Sequence, residues 1–196
     1  IYIEDGIIKE IGKDLNIEDS EIIDADGKYV IPGGIDVHTH FHLDVGMAVS
    51  SDDFRTGTIA AACGGTTSIV DHIGQGPRGT TLHDPINHYH KLADGKAVID
   101  YGFHGVIPYE VDDDRLKEMD QLLEDGIESF KIYMTYGQMV HDEDSIKVLK
   151  KAKEKGGIIA VHPENNDTVN YLKKYYSENG MTAPIYHAKS RPEKGG

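Results

Sequence analysis

The stretch Gly33-Gly34-Ile35-Asp36-Val37-His38-Thr39-His40-Phe41-His42-Leu43-Asp44 places two alternate histidines at the end of an apolar strand. Side chains in a strand alternate between faces, so His38 and His40 point the same way, about 6 to 7 Å apart along the strand. Two imidazoles so placed can share one metal ion. Zinc and its first-row neighbours favour neutral imidazole nitrogen, and a catalytic centre takes three or more protein ligands while leaving a position open for water. Taken alone, the pair reads equally as two strand residues facing solvent or a polar layer, because eleven histidines in one chain make a chance H-x-H common. Context favours the metal: the strand is entered through Pro32-Gly33-Gly34, and further candidate ligands recur at strand ends downstream. His42 shares the parity of His38 and His40, but a strand entering a loop loses that parity, so it reads as a loop residue facing substrate.

Outward from this stretch, apolar strands alternate with amphipathic helices. Strands are expected at Ile35 to His40, Thr66 to His72, Ala97 to His104, Ser129 to Met134 and Gly157 to His162. Asp52 or Asp53 can cap a helix that stops at Gly64-Gly65, and Asp84-Pro85 offers a cap before a proline, with Gly95 beyond the end. Asp112 to Asp114 lead a stripe of Leu116, Met119, Leu122 and Leu123 closed by Gly126. Asp142 to Asp144 open a further helix whose far end carries Lys150, Lys151, Lys153 and Lys155, in agreement with the helix dipole. Strand starts recur at roughly the ~30-residue spacing of a βα unit. Five such units fit an open doubly wound sheet or part of a closed barrel. His40, His72, His104, Lys131 and His162 all fall near strand C-termini, which a barrel gathers over one mouth, and no G-x-G-x-x-G follows the first strand. The expected fold is therefore α/β, a partial (β/α)8 barrel of about five βα units over residues 32–196. Residues 1–31 read as a separate small β domain of two hairpins, turning at Asp5-Gly6 and Asp26-Gly27.

Composition excludes several partners. Of 196 residues, 20 are basic and 34 acidic, and the net charge of −14 repels nucleic-acid phosphates and anionic lipid headgroups. No apolar run approaches the ~18 residues of a membrane helix. A single cysteine, Cys63, cannot form an internal disulfide, which fits the cytoplasm, and it reads as small helix filler in Ala-Ala-Ala-Cys-Gly-Gly. Because Ile1 opens inside a strand pattern and Lys194-Gly195-Gly196 carries no terminating signal, the chain is expected to be an N-terminal piece of a longer protein, inactive by itself.

Two further residues carry chemistry. Lys131 lies inside the apolar strand Ser-Phe-Lys-Ile-Tyr-Met. It is either a lysine snorkelling to the strand end or one whose pKa burial has lowered, and a neutral amine can add CO2 to form a carbamate that bridges two metal ions. His162 ends the strand Ile158-Ile159-Ala160-Val161-His162, where Pro163 stops the ladder; it is a core histidine or a ligand. His72 and His104 are candidates for ordering the ligands by hydrogen bonding. Glu164 and Asn165 either shape the mouth or cap the next helix.

The segments GGIDVHTHFHLD, DDFRTGTIAAACGGTTSIVD, SFKIYMTY and VHPEN, in this order, resemble the dihydropyrimidinase and hydantoinase group of cyclic amidohydrolases. His42 to Gly46, Asp71-His72, AVIDYGFHGVIP and TAPIYHAKSRP look most like its phenylhydantoinase branch. The resemblance implies a metal-dependent barrel with a small β-sandwich, residues 1–31 being part of the latter. It implies hydrolysis of five- or six-membered cyclic amides, and a parent that assembles as a homo-oligomer, a dimer or tetramer. Carried over residue by residue, His38 and His40 would bind one of two divalent ions, expected to be zinc. Lys131 would be an N6-carboxylysine bridge and His162 would bind the second ion. Tyr136 would be the catalytic donor to the developing oxyanion, against the alternative of a rim tyrosine. Dihydroorotase-like or allantoinase-like hydrolases are the nearest rivals, but the arginine expected soon after H-x-H for a substrate carboxylate is replaced here by Phe41-His42-Leu43-Asp44. A non-catalytic scaffold of the same fold would lose metal ligands, whereas His38, His40, Lys131 and His162 are all present.

Overall fold

In the computed structural model, five parallel strands pair in the order of the chain: β3 (Gly34–Thr39), β4 (Thr66–His72), β5 (Asp100–Val106), β6 (Ser129–Tyr133) and β7 (Ile158–His162). An open doubly wound sheet reverses its strand order at a switch point, and this sheet has none, which is the topology of successive barrel units. Between the strands run α1 (Phe54–Cys63), α2 (His83–Ala93), α3 (Asp113–Glu124) and α4 (Asp142–Lys155). After β7 come α5 (Asn166–Glu178) and the short α6 (Ile185–Lys189). The structure describes residues 1–193; Lys194, Gly195 and Gly196, which the sequence reading placed in the second domain, lie outside the described residues.

The helix ends follow from capping chemistry. Asp53 accepts the N–H groups of Arg55 and Thr56 while Thr56 returns a hydroxyl to the Asp53 N–H, closing a capping box at α1. Asp112 caps α3 through the Arg115 N–H, and Gly156 ends α4 at φ 80°, a left-handed turn that glycine takes without a Cβ clash. The start of α2 departs from expectation. Its first residue is His83, and Asp84 lies within the first turn, reaching back to accept the N–H and hydroxyl of Thr81. The third expected strand also shifts. The N–H groups of Lys96 and Ala97 bond back to the Ala93 carbonyl, so the turn after α2 uses residues that would have begun the strand, and β5 runs on through Val106, paired with Lys131.

The core lies between the sheet and its helices, with Phe54, Ile69, Phe103, Met119, Leu122, Phe130 and Val148 all nearly inaccessible. Phe54 of α1 meets Phe41, Tyr89 and Phe103 edge-on, ring centroids 5.7 to 6.2 Å apart, so the first residue of α1 anchors the segment that follows β3.

Residues Ile1–Pro32 form a separate compact unit. β1 (Tyr2–Glu4) and β2 (Ile7–Glu10) make an antiparallel hairpin about Asp5-Gly6, both with positive φ. The second expected hairpin is not formed: only its turn is present, with Asp26 and Gly27 at positive φ and Lys28 N–H on the Ala25 carbonyl. Its flanks are left unpaired and exposed, Ile22 and Ile23 included. A two-stranded ribbon is marginal without a packed face, and these side chains have no such face within their own unit.

Candidate metal centre

The strand register lines up the residues singled out above. Thr39 stands opposite Asp71, His72 opposite His104, and Tyr133 opposite His162, so the C-terminal ends of β3 to β7 form one row. His38 is the next-to-last residue of β3 and His40 follows the strand directly. Their ring centroids are 5.2 Å apart. The His40 Nδ1–H donates to the carbonyl of His72 at 3.0 Å, which leaves Nε2 with its lone pair available to a metal. Burial first, then the positive charges that His40, Lys131 and His162 would carry, hold His38 below the ordinary histidine range. That mutual influence places all four groups in one electrostatic neighbourhood, and it favours the neutral imidazole a metal requires.

Lys131 sits in the middle of β6 and is 5% exposed. It does not snorkel to solvent. Burial pushes its pKa down, and among the described residues no carboxylate forms an ion pair with it. A buried ammonium without a counter-charge is costly, and the alternatives are the neutral amine and, beside bound cations, its anionic carbamate. His162 ends β7 half-buried. Its Nε2 lies 3.3 Å from Glu164 Oε2 and 3.4 Å from the Tyr136 hydroxyl. Tyr136, in the loop after β6, is 46% exposed and has a left-handed backbone at φ 71°.

Other titratable groups surround these. His104 donates Nε2–H to the Val37 carbonyl at 2.9 Å and accepts the Ser129 hydroxyl on Nδ1 at 2.6 Å, so both its nitrogens are used in tying β5 to β3 and β6. His72 stacks on His104 with centroids 4.1 Å apart and lies 4.2 Å from the His38 ring. Its pKa falls to about 3, by burial before the neighbouring histidines and Lys131, and it is neutral at any working pH. Asp71, fully buried, has its pKa pushed up to about 6 by burial, against the opposing bonds from Phe41 N–H and the Thr39 hydroxyl. The pair Glu164 and Asn165 divides its two expected roles: Asn165 caps α5 through the Thr168 N–H, whereas Glu164 takes Arg191 Nε at 3.1 Å and faces His162. Cys63 ends α1, exposed.

The donor set fits divalent metal, on one condition. Among the described residues no three His, Cys, Asp or Glu side chains converge as a ready ligand group. In a site built from His38, His40 and His162, Lys131 would contribute oxygen ligands only as its carbamate. Sequence reasoning passed over Asp71, Thr39 and Arg191. An acid directly after the apolar pair Ile69-Val70 was the local signal for the first of them.

A five-stranded parallel sheet in sequential order, covered by helices, places the chain among (β/α) barrel proteins. The profile of the Amidohydrolase family matches residues 29–190, and the chain belongs to that family. D-phenylhydantoinase of Escherichia coli O1:K1 / APEC is 47% identical over 193 residues, 98% of this chain and 42% of that protein. A solved D-hydantoinase superposes with a TM-score of 0.93 at 46% identity, over 98% of this chain and 42% of that one. Dihydropyrimidinase from Brevibacillus agri NCHU1002 gives 0.89 at 47% identity, over 94% and 40%. The chain thus spans about 42% of the length of the curated relatives it matches.

Proposed function

We propose that the protein carrying this chain is a metal-dependent hydrolase that opens the cyclic amide bond of hydantoins or dihydropyrimidines. The observation that carries this reading is the presence of His38, His40 and His162 at the ends of β3 and β7 together with the buried Lys131 in the middle of β6. The names of the similar proteins, D-phenylhydantoinase, D-hydantoinase and dihydropyrimidinase, supply the substrate class.

In this reading His38, His40, His162 and a carboxylated Lys131 would hold two divalent ions, and zinc would suit this mixed imidazole and oxygen set. When bound, the ions polarise the amide carbonyl and lower the pKa of water. The protein's own groups do the rest. Burial pushes the Lys131 pKa down, which raises the share of neutral amine able to take up CO2. The His72 carbonyl fixes the tautomer of His40. The Tyr136 phenol donates a hydrogen bond to the carbonyl oxygen as negative charge develops there. Water adds across the ring amide: its oxygen ends on the carbonyl carbon, the C–N bond breaks, and a proton goes to the departing nitrogen. Phe41-His42-Leu43-Asp44 carries no arginine to hold an anionic ring, which favours neutral cyclic amides over a dihydroorotate-like substrate.

The same reading makes residues 1–31 part of a small β-sandwich and residues 32 onward part of the barrel, in a cytoplasmic homo-oligomer. No helix among the described residues is long and apolar enough to cross a membrane. The test is ring opening of hydantoin, phenylhydantoin and dihydrouracil, with zinc and bicarbonate supplied. Water-dependent turnover of at least one, lost in His38→Ala, is the expected result; turnover untouched by His38→Ala contradicts the reading.

A further inference from the structure

His40 is held at three points by two consecutive residues of the neighbouring strand. Asp71 Oδ2 accepts the Thr39 hydroxyl at 2.7 Å and the Phe41 N–H at 2.9 Å, gripping the chain on either side of His40. The next residue, His72, accepts the imidazole Nδ1–H on its carbonyl. The ladder between β3 and β4 ends at the pair Thr39 and Asp71, and beyond that pair these hydrogen bonds carry the register on to His40.

Packing does not account for an acid at this position. Asp71 is fully buried, next to Val70 and two positions on from the buried Ile69, and its Oδ1 has no partner among the described residues. An apolar side chain would fill the place without the desolvation cost of a carboxyl. What the carboxyl gains is one oxygen able to take two donors from the adjacent strand end, and bonds to an ionised acceptor are the strong ones.

We propose that Asp71 is a positioning residue that sets His40 for metal binding by clamping residues 39 and 41. The inference rests on the reading of His38 and His40 as metal ligands. It makes the end of β4 a support for the end of β3, so that the H-x-H pair is already in place before an ion arrives. Metal affinity depends on such preformation, and outer partners of ligands typically contribute about 10- to 100-fold to it.

The test is zinc affinity, measured by competition with a chromophoric chelator on metal-stripped protein carrying this chain, beside hydrogen exchange at the Phe41 amide. Asp71→Ala is expected to weaken zinc binding by about 10- to 100-fold and to speed exchange at Phe41. Asp71→Asn keeps an accepting oxygen and is expected to recover most of both. Wild-type zinc affinity in folded Asp71→Ala overturns the proposal, as does Asp71→Asn binding no better than Asp71→Ala. If Asp71→Ala does not fold, Thr39→Val decides, since it removes one donor and leaves the carboxylate: weakened zinc binding supports the clamp and unchanged binding overturns it. His40→Ala separates the two levels. Unchanged zinc affinity there overturns the ligand assignment itself, whereas lost affinity there with Asp71→Ala and Thr39→Val unchanged overturns the clamp alone.

Discussion

Tyr136 turns its ring towards His162 through a left-handed backbone, φ 71°, that a bulky side chain seldom adopts. The hydroxyl lies 3.4 Å from His162 Nε2, beside the proposed second ion, and the strain is consistent with a residue placed for chemistry and not for packing. Tyr136→Phe removes the hydroxyl and leaves the ring. It is expected to lower kcat by about 10²- to 10³-fold, as loss of one oxyanion donor does. Metal content should be unchanged, because the phenol is not a ligand; an undiminished kcat would return Tyr136 to the rim. Lys131 and Tyr136 were both legible in the sequence, one as a charge inside an apolar strand and the other five residues on in a recognisable motif. Asp71 was legible only as an oddity, because its partners lie 30 and 32 residues away and no local pattern encodes them.

Helix α1 is the element that seats the end of β3. Gly57, buried on its inner face, faces the Phe41 ring, and a Cβ added there would come within 2.3 Å of it. Two effects oppose each other in Gly57→Ala. Helix propensity favours alanine by about 1 kcal/mol, whereas forcing a packed ring aside costs about 1 to 3 kcal/mol. Phe41 is wedged between α1 and the chain following His40, so the steric term should win, and chemical denaturation should find the variant less stable. A stabilised Gly57→Ala would mean that Phe41 moves freely and does not anchor His40. Capping residues at α1 and α3 were readable because each cap is a local contact over a few residues. The start of α2 and the missing second hairpin were not. Asp84 caps from inside its helix, and whether Glu21 to Ile31 pairs depends on a packing partner that no turn motif specifies.

At the scale of the whole molecule, five strands paired in chain order explain why residues as far apart in sequence as His38 and His162 can serve one site. The alternation of strand and helix made that order readable in advance, and the row of polar strand ends gave its direction. The net charge of −14 adds that the surface does not invite phosphate backbones. The central claim is that a buried lysine completes a two-ion site, and it is tested most directly by counting divalent ions bound per chain in the wild-type protein and in Lys131→Ala, each prepared with zinc and bicarbonate. Two ions in the wild type and a clear loss in Lys131→Ala, partly restored by a short carboxylic acid, is the predicted result. The same metal content in both proteins, or none in either, would contradict it.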